Sequence, residues 1–298
     1  METKQQREII YNIRATPELD DCFGAPFLAW PTVGVVLFAY AGFILSSYAL
    51  LSGLLSPFIT IPISAFFVFW SFTPLHEAVH RNVSHIGWLN DSIGSLCAQL
   101  ILPGFSSGLY RYLHITHHAR TGQLDDPDYK FNGTALPQRL MNSAFLDIMW
   151  TRFYFANWST RPRGERARFL FGLSLYAALF IVGFSSPYAV EFTLAFVLPM
   201  LLGRIILVHL FATIQHKQGV EQRHDPIGAT RIQDVFSTPW QRYFMFGQAQ
   251  HLIHHLYPNV PWYHYDRLWH ALEAQIPAQK IRWGNYLSGA DKAYKPKA

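Results

Sequence analysis

The sequence predicts an all-α integral membrane protein with four transmembrane helices, arranged as two hairpins that carry a cytoplasmic helical cap. Half of the 298 residues are apolar and only 14% are charged, whereas about a quarter of residues are charged in soluble domains. Four apolar runs approach or exceed the roughly 20 residues that a helix needs to cross a bilayer. No segment alternates between apolar and polar residues as a half-buried strand does.

The apolar runs set the order of the elements along the chain. A polar N-terminal arm comes first, and the first two spans flank the break at Ser56-Pro57. Short interfacial segments and a loop around Pro127 separate them from the second pair, which flanks Ser185–Ala189. A last helix and a basic tail close the chain. The expected spans are residues 27–55, 58–75, 169–184 and 190–210.

The distribution of basic residues predicts the orientation. Neither link within a pair of spans contains Lys or Arg, while every other flank does. Because Lys and Arg are retained on the cytoplasmic side of a membrane, both termini should be cytoplasmic. We expect the bacterial inner membrane rather than the endoplasmic reticulum. The cytoplasmic parts of this single predicted domain are residues 1–26, 76–168 and 211–298.

Charge and cysteine content exclude several other classes. The net charge of +5 comes from Lys and Arg near the ends of apolar runs, which indicates membrane orientation and not a nucleic-acid surface. The two cysteines, Cys22 and Cys97, lie far apart, so neither a disulfide framework nor a Cys-ligated cluster is expected. The charged N-terminus is unlike a cleaved signal peptide.

Three short clusters contain most of the histidines that matter for function. One has the spacing H-x-x-x-H and two have the spacing H-x-x-H-H, and on a helix residues i, i+3 and i+4 share one face. Each cluster therefore presents two or three imidazoles to one point. The clusters are His76 and His80; His114, His117 and His118; and His251, His254 and His255.

So many neighbouring imidazoles predict a metal centre. Neutral rings would each need a partner for a lone pair, and protonated rings would repel one another, whereas a divalent metal satisfies the lone pairs directly. Imidazole suits Zn, Cu, Fe and Ni, so the ligand type alone leaves the metal open. Since four ligands fill a structural zinc site and three a catalytic one, eight or nine imply two ions.

Other functional classes explain less of the pattern. His76–His80 reads H-E-x-x-H, as in zinc proteases, with Glu77 as general base and Asp125 or Asp128 as third ligand. That interpretation leaves both H-x-x-H-H clusters without a role. A transporter is disfavoured because no inverted repeat is present, and a haem needs only one or two axial ligands.

The three motifs, in this order and around two pairs of apolar spans, resemble the membrane fatty acid desaturase and hydroxylase superfamily over about residues 35–275. The resemblance implies a centre of two non-haem iron ions, with O2 as co-substrate, that attacks an unactivated C–H bond of a lipid. Its ligands would be the eight clustered histidines. The family usually adds one histidine from the cytoplasmic end of the fourth span, where His216 lies, with His209 as the alternative.

Residues outside the three histidine clusters also have expected roles. Three aspartates could accept hydrogen bonds from ligand rings, or they could form a solvated turn; they are Asp125, Asp126 and Asp128. Four aromatics are predicted to line a substrate tunnel, or to serve as packing and interfacial anchors; they are Trp70, Phe72, Trp240 and Phe244. Arg204, inside the fourth span, either reaches the interface or binds a polar head group.

The motifs leave the reaction open. Fatty acyl desaturation is the first expectation, and carotenoid hydroxylation is the second because Gln250–Tyr265 also resembles the bacterial and cyanobacterial β-carotene hydroxylases. The chain contains neither a Cys cluster nor a nucleotide-binding glycine motif. Electrons should therefore come from an external ferredoxin, rubredoxin or cytochrome b5-type donor, which the basic rim would attract.

Overall fold

The computed structural model describes residues 1–131, 135–217, 219–233, 244–284 and 291–292. These residues are mostly helical, which confirms the predicted class. The α-helices are α1 (Thr3–Arg14), α2 (Trp30–Leu51), α3 (Pro57–Trp70), α4 (Phe72–Val79), α5 (Gly87–Ile101), α6 (Ser107–Arg120), α7 (Leu136–Ala144), α8 (Leu146–Ala156), α9 (Arg163–Ser185), α10 (Ala189–Phe192), α11 (Leu198–Leu207), α12 (His251–Leu256) and α13 (Tyr265–Glu273).

Shorter elements connect the α-helices. Two π-helical turns, Thr193–Val197 and Val208–Thr213, flank α11. Single 3-10 turns lie at Pro17–Cys22, Tyr129–Phe131, Trp158–Thr160, Gln248–Gln250, Trp262–His264 and Ala278–Lys280. The described strands are two residues long, too short for an alternating pattern in the sequence; they are β1 (Ile232–Gln233), β2 (Trp283–Gly284) and β3 (Asp291–Lys292). β2 pairs parallel with β1, Ile232 opposite Trp283, and antiparallel with β3.

Four helices are long and apolar enough to cross a membrane, as the sequence predicts. The second runs through α3 and α4, one turn beyond the expected end at residue 75, so that His76 lies on its last turn. The third begins six residues earlier than expected, because the arginine-rich segment before residue 169 continues the helix. The spans are Trp30–Leu51, Pro57–Val79, Arg163–Ser185 and Ala189–Thr213.

The surface of the spans fits lipid and not water. In the first and third spans only 22% and 11% of the apolar window is buried within the protein. Large apolar side chains such as Leu37, Phe171 and Ile181 are about two-thirds exposed. Contiguous apolar surface of this kind marks contact with a membrane or a partner, and helices satisfy their own backbone hydrogen bonds in lipid.

The residues form two compact units, which are described separately. The first, here called the span unit, contains residues 27–114 and 135–208. In it α3 packs against both α2 and α11. Gly203 makes the approach of α11 to α3 possible, because a Cβ atom there would lie 2.7 Å from the Val68 Cβ and 2.9 Å from the Ala65 carbonyl oxygen.

Arg204 is buried within the span unit and is fully engaged there. Its Nε donates to the Ile101 carbonyl at 2.8 Å, and its Nη1 lies 3.2 Å from Asp147 Oδ1. The Tyr176 hydroxyl bridges the pair, donating to Asp147 Oδ2 at 2.5 Å and lying 3.4 Å from Arg204 Nη2. The sequence left two alternatives for Arg204, a guanidinium that reaches the interface or one that binds a polar head group. In the structure the guanidinium instead binds residues of the span unit.

The second unit, here called the cluster unit, contains residues 1–26, 115–134 and 209–298. Its core joins Ile13 of α1 to Leu252 of α12 and Leu268 of α13. Gln6 fixes α1 to the rest of the unit, since its amide donates to Asp225 at 2.9 Å and accepts from the Ile227 backbone N–H at 3.0 Å. The hairpins, the cytoplasmic cap and the single domain stay predictions.

Candidate metal centre

Helical spacing places the clustered histidines in rows. α6 carries His114, His117 and His118 on one face, and α12 carries His251, His254 and His255 in the same spacing. Two further elements contribute the remaining rings. His76 lies on the last turn of the second span, His80 comes directly after α4, and His216 follows the π-helical turn at Val208–Thr213. Such π-helical turns occur often at functional sites.

Four buried imidazoles of the cluster unit converge on one point, and we call them the four-histidine cluster: His117, His216, His251 and His255. One ring nitrogen of each lies within 4.8 Å of those of the other three. His216 Nε2 lies 3.0 Å from that of His117, 3.1 Å from that of His255 and 3.2 Å from that of His251. His255 Nε2 lies 3.0 Å from His251 Nε2. His209, the alternative to His216, is not in this cluster.

The other ring nitrogen, Nδ1, fixes the protonation of three of these rings. His216 Nδ1 donates to the Ala212 carbonyl at 2.8 Å, and His117 Nδ1 donates to Asp126 Oδ1 at 2.9 Å. His255 Nδ1 donates to Gln222 Oε1 at 2.8 Å, while the same amide donates from Nε2 to the His255 carbonyl at 3.0 Å. All three acceptors require the proton on Nδ1, which leaves the lone pair on Nε2.

This arrangement fits a metal ion. The facing Nε2 atoms of His216 and His255 both hold lone pairs, and two lone pairs cannot form a hydrogen bond. A cation placed between them converts the repulsion into coordination. Separations of 3.0–3.2 Å are those of neighbouring nitrogens around an ion with bonds of about 2.1 Å. The buried histidine clusters can therefore bind metal, and they suit the first-row ions that prefer imidazole.

Asp126 is held rigidly against His117. Its carboxylate also accepts from the backbone N–H groups of Gly122 at 3.3 Å and Asp128 at 2.9 Å. The turn that brings it back to α6 requires Gly122, whose φ is +82° and whose missing Cβ would lie 2.2 Å from the Val220 carbonyl oxygen. Burial lowers the pKa of His117, but the carboxylates of Asp126 and Asp128 outweigh it and raise this pKa to about 8.

Two other rings of the cluster, those of His216 and His255, have pKa values shifted in the opposite direction. Burial, followed by repulsion from His117, lowers the pKa of His216 to about 3. Burial and the neighbouring imidazoles, His118 foremost among them, hold the pKa of His255 well below its usual 6.5. Both rings are therefore neutral at physiological pH, the state in which imidazole binds metals. His117 holds a second proton there, and that proton cannot relieve the contact between His216 and His255.

A second group of imidazoles lies in the span unit. The ring centroids of His76, His80 and His114 are 4.6–5.0 Å apart, and all three side chains are buried. His114 Nδ1 shares a hydrogen bond of 3.1 Å with the Tyr110 hydroxyl, and the Tyr110 ring stacks on it. Glu77 is also buried, with Oε1 3.6 Å from His76 Nδ1.

A pair of imidazoles completes the set in the cluster unit. His118 Nε2 lies 2.8 Å from His254 Nε2. His254 Nδ1 shares a hydrogen bond of 3.0 Å with the Tyr265 hydroxyl, which belongs to the core of the unit. The hydrogen bond to Tyr265 therefore fixes Nδ1 of His254, and Nε2 of the same ring faces His118.

Comparison with known proteins identifies the family. Residues 52–286 match the family model for fatty acid desaturases, which is most of the chain. The chain belongs to the fatty acid desaturase family. It is 23% identical over 235 residues to the sn-1 oleoyl-lipid 12-desaturase of Anabaena variabilis, and 24% identical over 229 residues to the endoplasmic-reticulum omega-6 fatty acid desaturase of Brassica juncea.

These relatives share only part of their length with the chain. The first similarity covers 74% of the chain and 58% of the relative, and the second covers 63% and 59%. The chain thus spans under two-thirds of either desaturase. The family together with the four apolar helices makes this an integral membrane protein.

The three predicted aspartates of this desaturase-family chain differ in position. Asp126 contacts His117 directly, and Asp128 Oδ2 lies 3.9 Å from the same ring. Asp125 is half-exposed and pairs with Arg120. Sequence reasoning missed Gln222, Tyr110 and Tyr265, which contact three of the ligand candidates. Tyr110 precedes His114 by one helical turn, a usable signal, but Gln222 precedes His255 by 33 residues without any motif.

The predicted tunnel aromatics lie in several environments. Phe72 is buried between His76 and Tyr110, with centroid distances of 5.6 and 5.5 Å. Trp70 packs among Phe38, Phe66 and Phe67 in the span unit. Phe244 is partly buried. Trp240 lies outside the described residues, and the substrate tunnel stays a prediction.

Proposed function

We propose that this protein is an oxygen-dependent desaturase that uses two iron ions to introduce a double bond into the middle of a fatty acyl chain of a membrane lipid. The four-histidine cluster carries the proposal. His216 and His255 are neutral, buried imidazoles that face each other through their lone pairs, so a cation between them stabilises the arrangement. The family match supports the type of reaction.

The first ion would be bound by the four-histidine cluster. For the second we propose the remaining five candidates, which are His76, His80, His114, His118 and His254. The helical spacing of α6 supports this set, since His114 and His118 lie one turn apart on the same face. Nine imidazoles would then serve two ions, without the Glu-x-x-His carboxylates of ferritin-like diiron proteins.

When bound, the two iron ions supply the activation of dioxygen and the removal of hydrogen from an alkyl carbon, which no protein side chain can perform. The chain holds the ring nitrogens in place through Asp126, Gln222 and the Ala212 carbonyl. Its burial of the rings keeps bulk water from the centre, which limits side reactions of a reactive oxidant. Phe72 adds an apolar wall beside His76.

The electron balance requires a donor. Forming a C=C bond from two CH2 groups releases two electrons and two protons, whereas reducing O2 to two waters takes four of each. The 298 residues contain two cysteines, too few for an iron–sulfur cluster bound by four. We propose that two electrons come from a ferredoxin, rubredoxin or cytochrome b5-type protein, and two protons from water.

The names of the relatives support the lipid and the position. One is named for an oleoyl lipid and desaturation at carbon 12, the other for the omega-6 position. We propose a comparable acyl lipid here, and a centre that faces the cytoplasm of a bacterial inner membrane. The basic flanks of the spans support that orientation.

Product analysis tests the proposal. The gene would be expressed in a bacterium that makes only saturated and monounsaturated acyl chains together with β-carotene, and extracts would be analysed by mass spectrometry. We expect a new double bond in the acyl lipids that is absent with His117→Ala. Oxygenated carotenoids with unchanged acyl chains would overturn desaturation in favour of carotenoid hydroxylation.

A further inference from the structure

A cationic cleft opens directly onto two of the metal-ligand candidates. It lies within the cluster unit and has a volume of about 410 Å³. Among the residues that the structure describes, three arginines line it and no carboxylate does. Its lining also contains His118, His255 and Gln222. We call it the arginine cleft, after Arg7, Arg14 and Arg223.

We propose that the arginine cleft is the docking site of an acidic electron-carrier protein, from which electrons enter the metal centre beside His118 and His255. The inference rests on the proposed function, because an enzyme of that kind needs two external electrons per turnover. It adds the place where they enter and the residues that recognise the carrier.

The positive charge of the cleft favours a partner with an anionic surface. Arg223 contacts Glu221, so Arg7 and Arg14 supply most of the positive charge. Arg7 Nη2 donates to the Arg223 carbonyl at 2.9 Å, and the Arg14 guanidinium lies 5.0 Å from the centroid of the Phe23 ring. Both remain exposed. A set of exposed arginines with no lining carboxylate attracts an anionic surface and accelerates its association.

The helix that carries two of the cleft's arginines is held in place by hydrogen bonds to the rest of the unit. α1, which carries Arg7 and Arg14, is fixed by contacts at Gln6 and Ile10. Gln6 bonds to Asp225 and Ile227, and the Tyr257 hydroxyl donates to the Ile10 carbonyl at 3.1 Å. The guanidinium groups are therefore presented from a fixed helix.

Contact with the metal ligands is direct. Gln222 lies on the wall of the cleft and accepts the Nδ1 proton of His255 at 2.8 Å. Its backbone N–H donates to the Thr121 carbonyl at 3.2 Å, and the Thr121 hydroxyl donates to the His117 carbonyl at 2.8 Å. A carrier seated over the cleft is thus one hydrogen bond from one ligand ring and adjacent to another.

The anionic head group of the lipid substrate fits this place less well. A head group in the cleft would lie beside His118 and His255 themselves. A bond in the middle of an acyl chain lies many methylene groups from the head group, so a head group held here would not place that bond beside these rings. The open, cationic lining of the cleft also differs from the narrow apolar channel that an alkyl chain requires.

Charge reversal in the cleft tests the proposal. Arg14→Glu, the double variant Arg7→Glu with Arg14→Glu, and Arg14→Gln would be compared with the wild type in lipid nanodiscs. Lys4→Glu is the matched control, since Lys4 is exposed on the same helix and does not line the cleft. Iron content checks that each variant is correctly folded.

Acidic [2Fe–2S] ferredoxin, rubredoxin and the soluble domain of cytochrome b5 would be assayed in parallel with dithionite and a small mediator dye. For the carrier that supports turnover, we expect its KM to rise about tenfold or more in the double variant. Arg14→Gln should show a smaller rise and Lys4→Glu little change. High salt should likewise raise the KM of the wild type for the carrier, because it screens the charges of the cleft. Dithionite-driven turnover should stay unchanged.

Three outcomes would overturn the docking site. The first is that the KM for the carrier is unchanged in the double variant. The second is that the KM for the lipid rises instead of the KM for the carrier. The third is that the double variant loses as much turnover with dithionite as with the carrier. Carrier binding measured without turnover separates the two proposals. If no donor yields a double bond, but a carrier binds the wild type and not the double variant, desaturation fails while the docking site stands.

Discussion

His216 and His255 face each other through their Nε2 atoms at 3.1 Å, although each ring already carries its proton on Nδ1. The pKa of His216 is lowered to about 3 and that of His255 lies well below 6.5, so neither ring gains a second proton at neutral pH. No hydrogen stands between these nitrogens. A metal ion is the arrangement that reconciles their separation with their chemistry, and the predictions below follow from it.

Asp126→Asn should weaken metal binding by the four-histidine cluster by about 10- to 100-fold. The carboxylate orients His117 and strengthens its lone pair, and an amide does both less well. Anaerobic Fe²⁺ titration of the metal-free protein would measure the change. Asp125→Asn is the control, because Asp125 pairs with Arg120 at the surface. Equal affinities for the two variants would contradict the role of Asp126.

Metal affinity should depend on pH through His117. In the metal-free protein its pKa is raised to about 8, so its extra proton is bound below that pH and must leave before the ring can coordinate. Affinity should therefore rise about tenfold per pH unit up to about pH 8 and then level off. Fe²⁺ titrations at several pH values would show the slope.

The same titrations in Asp126→Asn provide the contrast for the pH effect. Without the Asp126 carboxylate, only the more distant Asp128 opposes the effect of burial, so the pKa of His117 falls and the dependence between pH 7 and 8 should weaken. A wild-type affinity that is flat across that interval would contradict the assigned protonation.

Gln222→Ala should lower the iron content, because it removes the acceptor that holds His255 Nδ1 and the donor to the His255 carbonyl. Gln222→Glu keeps the acceptor and loses the donor, so its loss should be smaller. Metal analysis after identical purification would rank the two. Full iron content in Gln222→Ala would show that His255 needs no such support.

Arg204→Met should destabilise the span unit strongly, by about 3–5 kcal/mol, because it leaves the largely buried Asp147 without its partner. Adding Asp147→Leu should restore much of the loss, since it removes the uncompensated charge as well. Thermal unfolding in detergent would compare the variants. If the double variant is no more stable than the single one, the ion pair is not the source of the effect.

The elements that could be predicted from the sequence are those with a local pattern of residues, and those without such a pattern could not. Long apolar runs and the spacing of the histidines are local patterns, so the four apolar helices and the rows on α6 and α12 follow from the chain alone. The second span ends one turn later than its hydropathy predicts, because hydropathy drops at His76 while the helix continues. Helical hydrogen bonding does not depend on the polarity of the side chain.

Long-range partners were beyond the reach of pattern reasoning. Gln222 is a single polar residue in an irregular segment, and only folding brings its amide to His255. Among Asp125, Asp126 and Asp128, the sequence could not separate the residue that contacts His117 from the one at the surface. The turn at Gly122, which separates them, depends on close contact with Val220.

Quantitative metal analysis of the purified protein is the decisive measurement for the metal centre. We expect two iron atoms per chain in the wild type. We expect a marked loss of iron in each of His117→Ala, His216→Ala, His251→Ala and His255→Ala, and none in His224→Ala, whose ring is exposed. A single zinc ion per chain, or full iron content after removal of the His216 side chain, would contradict a two-iron centre held by these rings.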